Sequence, residues 1–184
     1  MNPGKASEPV RRTREWLEKA VIGLNLCPFA KAVHARGQIR YVVSDATDEA
    51  ALLADLLHEL ESLYDADPGE VETTLLIHPH VLGDFLDYNQ FLDLADAAVS
   101  EMSLDGEIQV ASFHPEYQFA GSSAQDIENF SNRSPYPTLH LLRESSIARA
   151  VAAFPDAAHI YERNIDTLRA LGPGGWRRLF DPAG

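Results

Sequence analysis

The chain has 184 residues, 45% of them hydrophobic, with eight Phe, six Tyr and two Trp. That is the size and composition of one globular domain with its own core, and too aromatic for a disordered chain. The net charge is −13, and residues 41–132 contain no Lys or Arg, so a polyanion such as nucleic acid is an unfavourable partner. No stretch approaches the roughly 18 apolar residues that would span a bilayer, and the first nine residues lack the apolar segment of a secretory signal. No membrane partner and a cytoplasmic location are expected. Cys27 is the single cysteine, so no internal disulfide can form. Most of the carboxylates fall on the polar faces of amphipathic helices, where the plain reading is solubility.

Residues 1–8 read as a loose, disordered tail. Trp16, Leu17, Ala20, Val21 and Leu24 recur at helical spacing, which predicts a helix over 10–25 that stops at Pro28. Cys27 then lies at or beyond a helix end. The alternating, β-branched run 39–43 predicts a strand. Thr47 is a candidate cap for the next helix, whose face carries Leu52, Leu53, Leu56, Leu57, Leu60 and Leu63. Asp67-Pro68-Gly69 ends it. A second strand over 73–77 runs into His78-Pro79-His80. Asp84 can cap a third helix with Phe85, Tyr88, Leu92, Ala95, Val99 and Met102 inward. After the turn at Asp105-Gly106, a third strand over 108–113 ends at His114-Pro115-Glu116.

From Tyr117 to Pro137 the pattern gives way to a long polar loop with one short helical turn near Asp126; loops of this length are often functional. A fourth strand is predicted over 138–142, in either direction. A short helix then starts at Ser145 or Ser146 and runs through Phe154. A last helix is capped by Asp156 and ended by Gly172-Pro173, and a tail over 173–184 docks Trp176 and Phe180. Strands alternating with helices predict one α/β domain over 9–172. Its sheet is mixed and mostly parallel, has about four strands, and is covered by helices in two or three layers.

Ligands in open α/β sheets bind beyond the carboxyl ends of the strands. Two strands end alike, in Ile77-His78-Pro79 and Phe113-His114-Pro115, so His78 and His114 are expected at one rim. With His80 and Glu116 they have the residue types of a mixed nitrogen and oxygen shell for a divalent transition metal such as zinc or iron. The alternative is that each histidine ends its strand because it tolerates a half-wet position and bonds backbone carbonyls. Arg133 is the first base after the acidic stretch: it either forks onto an anionic ligand or ties the loop down. Cys27 is either a nucleophile helped by Lys31, His34 and Arg36, or an inert thiol packed beside Leu26 and Phe29. His140 faces the same region or sits in the core. His58 and His159 have no assigned role, and Tyr161, Arg163 and Asn164 read as packing and surface groups. Gly121-Ser122-Ser123 lacks the spacing of a phosphate loop, and no Gly-x-Ser-x-Gly elbow is present.

Three segments are specific together: Leu24-Asn25-Leu26-Cys27-Pro28-Phe29-Ala30, Phe113-His114-Pro115-Glu116-Tyr117-Gln118-Phe119, and Asn132-Arg133-Ser134-Pro135-Tyr136-Pro137-Thr138-Leu139-His140. In them the chain resembles the domain of unknown function 1415 family, a mainly bacterial one, over about residues 13–171. The resemblance implies a stand-alone domain and carries over no catalytic residue. Two functions are therefore expected. One is an enzyme for a small polar or anionic molecule, with His114 as acid–base group or ligand, Glu116 orienting or ligating, His78 and His80 at the same rim, Arg133 on the anion and Cys27 as a supporting or nucleophilic member. The other is a non-catalytic carrier of a metal or small molecule, or a protein adaptor. The two differ in geometry: an enzyme needs these groups to converge in a concave pocket, whereas an adaptor presents an exposed apolar patch.

Overall fold

A computed structural model describes residues 7–154 and 156–182. The tail expected over 1–8 falls mostly outside these residues. The first helix, α1 (Glu8–Trp16), starts with Pro9 in its first turn, where the missing amide hydrogen costs nothing. The chain then widens into a π-helical segment, Leu17–Ile22, so the single α-helix expected over 10–25 is in fact two kinds of helix. A Cβ at Gly23 would lie 2.2 Å from the Lys19 carbonyl oxygen, so only glycine fits where the π segment ends. A short helix, α2 (Ala30–Ala35), follows Pro28 where no element was expected.

The four strands are β1 (Ile39–Val43), β2 (Thr73–Ile77), β3 (Ile108–Phe113) and β4 (Thr138–Arg143). They form one mixed sheet in the order β1-β2-β4-β3. β1 and β2 pair in parallel, while β4 runs antiparallel to both β2 and β3. β1, β2 and β3 therefore point the same way, with β4 inserted against them. Val43, Ile77, Thr138 and Phe113 are register partners across the sheet. One rim thus collects the carboxyl ends of β1, β2 and β3.

On one face lie α3 (Glu49–Asp65) and α4 (Phe85–Glu101). Leu52, Leu56, Leu60 and Leu63 of α3 and Tyr88, Phe91 and Ala95 of α4 pack on Leu76, Leu139 and Leu141. Each fully buried leucine contributes on the order of 2 kcal/mol of transfer free energy. Asp48, not Thr47, caps α3, its carboxylate accepting from the Ala51 N–H. Asp84 caps α4 as expected, through Leu86 N–H and Asp87 N–H.

The other face is covered by Trp16, Leu17, Ala20 and Val21, with Tyr41, Phe113, Trp176 and Phe180 packed against them. This third layer includes the last helix, α6 (Ile160–Leu179). Gly172, at φ 68° and ψ 169°, leaves helical geometry, so the helical run begun at Ile160 does end at Gly172-Pro173 as expected, and Pro173 then starts a second helical run through the expected tail. The fifth helix, α5 (Glu144–Ala153), begins directly after β4 and one residue before the expected serines. No helix among the described residues is long and apolar enough to cross a membrane.

Candidate functional site

His78 and His114 do emerge at the same rim, and on the same side of the sheet. They flank Tyr88, with ring centroids 5.8 Å and 4.9 Å from it. Both are fully buried. His78 Nδ1 lies 3.0 Å from the Val81 carbonyl, and His114 Nε2 lies 3.0 Å from the Leu82 carbonyl. A carbonyl only accepts, so these two nitrogens carry the ring protons. His114 Nδ1 then accepts from the Glu116 N–H at 3.0 Å. Both nitrogens of His114 are therefore spent on backbone in a neutral ring. Leu82 sits at φ 59°, a left-handed conformation costly for a branched side chain. The His114 bond to its carbonyl helps hold that turn in place. His78 Nε2 is buried and has no hydrogen-bond partner among the described residues.

Burial lowers the His78 pKa to about 4, more than its bond to Val81 raises it. Burial also lowers that of His114, against smaller opposing effects of the Leu82 carbonyl and Glu116. His80 and Glu116 are exposed. Among the described residues, no group of three or more His, Cys, Asp and Glu is placed to hold a metal ion. The His78, His80 and His114 shell expected for a divalent metal is thus not assembled.

Arg133 takes the second of its two expected roles. Its Nε donates to the Tyr117 carbonyl at 3.1 Å and its Nη2 to the Ala124 carbonyl at 2.6 Å, while the guanidinium lies over Phe130. Asn129, fully buried, completes the tie by accepting from Phe119 N–H and Ser122 O–H and donating to the Ser123 carbonyl. The loop after β3 is therefore pinned at both ends. Cys27 packs against the Trp16 cluster. Burial pushes its thiol up, and the backbone groups of Phe29 and Ala30 pull it back less, which opposes the thiolate. His140 donates to Thr73 Oγ, which itself donates to the Leu141 carbonyl. Burial lowers its pKa to about 4.

The open space at this rim lies instead beside β1. A cleft of about 410 Å³ is lined by Val42, Val43, Ser44, Asp45, Asp55, His58 and Glu59 among others. Ser44 follows β1 as His78 follows β2 and His114 follows β3. Its hydroxyl donates to Asp55 at 2.5 Å and accepts from the Ala46 N–H at 3.1 Å. That hydroxyl is engaged with a carboxylate, and no Ser44–His58 hydrogen bond forms, so a serine–histidine relay is absent among the described residues. Glu59 is buried and takes both ends of the Arg40 fork, at 3.0 and 3.2 Å. Asp45 and Asp55 have no cationic partner among the described residues. The sequence signal for this cleft was the same strand-end rule applied to the histidines; what hid it was that serine and aspartate after a strand read as ordinary turn residues.

A family model described as a protein of unknown function, DUF1415, matches residues 8–178. The chain belongs to that family. The DUF1415 match spans every strand and all six helices but the last residue of α6, so the whole three-layer domain is the family's unit. No curated protein and no solved structure matches the chain.

Proposed function

We propose that this DUF1415 protein is a small-molecule-binding domain whose ligand carries a cationic group, taken in the cleft at the carboxyl end of β1. The observation that carries this reading is the pair Asp45 and Asp55, uncompensated beside a cleft of about 410 Å³, within the range of small-ligand sites. Arg40, on the strand leading to the cleft, is bound to Glu59. No Lys or Arg lines the space, and His58 is the one basic side chain among its lining residues. A carboxylate and an ammonium about 4 Å apart attract by roughly 4 kcal/mol at an effective dielectric of 20, before desolvation is counted. That favours a cation over the anion expected from Arg133.

An enzyme using His114, Glu116, Arg133 and Cys27 has less support. His114 and Arg133 are occupied by backbone groups, and burial works against the Cys27 thiolate. Isothermal titration with agmatine tests the reading. Binding in the range of roughly 10 μM to 1 mM is expected, weakened at least about tenfold by Asp45→Asn with Asp55→Asn, and weakened by salt. Absence of binding to agmatine, spermidine and lysinamide in low salt contradicts it.

A further inference from the structure

We infer that the cation entering this cleft is a Lys or Arg side chain of an extended peptide that adds as a fifth strand to the free edge of β1. The inference rests on the cationic reading of the cleft and goes beyond it to the class of ligand.

β1 ends the sheet order, and no strand among the described residues pairs with its outer side. The Ser44 N–H donates to Ile77, and Gln38 O accepts from Glu72 N–H. Even-numbered residues thus turn their backbone groups toward β2. By the alternation of a strand, Ile39, Tyr41, Val43 and Asp45 turn theirs outward. None of these outward groups has a backbone partner among the described residues.

Exposed edges are usually blunted by proline, charged side chains, a bulge or a covering element. β1 contains neither Pro nor Lys, its one charged residue, Arg40, is turned to α3 and tied to Glu59, and Tyr41, Val42 and Val43 are half-buried. The opposite margin differs. There Asn132 Nδ2 donates to the Ser112 carbonyl and the Asn132 carbonyl accepts from the His114 N–H, so the chain itself covers the outer side of β3 at its end.

The cleft lies between this free edge and α3, the arrangement in which an added strand lays alternate side chains into a groove. Side chains on the cleft side of the added strand would pass Val42 and reach Asp45 and Asp55. A lysine or arginine there meets two carboxylates, while its neighbours on the strand point to the α1 side. Charge thus selects the peptide, and the edge supplies the main-chain hydrogen bonds.

The test compares three probes on the intact protein: agmatine, an acetylated and amidated five-residue peptide with lysine between valines, and the same peptide fully N-methylated. Amide exchange is followed by NMR. The inference expects the peptide to bind at least about tenfold more tightly than its N-methylated form, with exchange slowed at Tyr41 and Val43, and Asp45→Asn to weaken it. Asp45 is exposed, so that variant is expected to keep the fold, which its melting curve checks. Agmatine binding with equal affinity for the two peptides and no slowing at Tyr41 and Val43 overturns strand addition and leaves the cationic cleft standing. No binding of any probe overturns both. Slow exchange at Tyr41 and Val43 without peptide, together with a doubled mass in solution, assigns the edge to a second copy of the chain and overturns the peptide.

Discussion

His114 has one ring proton and one lone pair, and backbone groups take both. Truncating it leaves the Leu82 carbonyl and the Glu116 N–H without partners and opens a hole beside Tyr88. His114→Ala should therefore cost about 2–4 kcal/mol in urea unfolding. Glu116→Gln, at an exposed side chain, should change stability by under about 0.5 kcal/mol. The buried histidines also set a pH dependence. His78 and His140 titrate near 4 in the fold and near 6.5 when unfolded. A base with a lowered folded pKa binds its proton first in the unfolded chain. Their contribution is thus full above pH 6.5 and is lost as pH falls from 6.5 toward 4, at roughly 2–3 kcal/mol each over the whole window. Melting temperature should already fall between pH 6.5 and 5, above the range where most carboxylates titrate. A flat profile over that interval contradicts the neutral, buried rings. The sequence placed both histidines at the right rim through the Ile-His-Pro and Phe-His-Pro repeats. It could not say that their nitrogens face inward, because the carbonyls they meet belong to a turn set by the left-handed Leu82.

At the scale of elements, β1, β2 and β3 follow their sequence patterns to the residue, because short β-branched runs bounded by turn residues leave few alternatives. The direction of β4 was open, since it is decided by pairing with β2 and β3 rather than by anything within 138–143. The π segment and the helical run after Pro173 were hidden for a related reason. Apolar spacing over 16–24 fits either kind of helix, and Gly-Pro marks the stop at 172 without saying that the packing of Trp176 and Phe180 carries a new helical run beyond it. Gly23→Ala should then be destabilising by at least about 2 kcal/mol, since its Cβ meets the Lys19 carbonyl. α3 holds a further surprise: its last turn has no basic residue, and Arg143 from β4 supplies the cap. Its guanidinium donates to the carbonyls of Leu63 and Ala66, and also to that of Val71. Arg143→Met should cost about 2–4 kcal/mol in equilibrium unfolding, chiefly from stranded buried carbonyls. A loss below about 0.5 kcal/mol would mean that water replaces those bonds.

Across the whole molecule, the charge separation read from the sequence acquires a location. The stretch 41–132, free of Lys and Arg, builds α3, α4 and the cleft beside β1. Much of its charge is solvated helix surface, as the amphipathic patterns indicated. Asp45 and Asp55 differ in facing an open cleft at a strand-end rim. The measurement that bears most directly on the central claim is an amide chemical-shift titration of the protein with agmatine in low salt. The account predicts saturable shifts clustered at 42–46 and 55–59, absent in the Asp45→Asn, Asp55→Asn variant, with His78 and His114 little changed. Shifts centred on 114–117 and 133 instead, or none at any concentration up to roughly 10 mM, would contradict it.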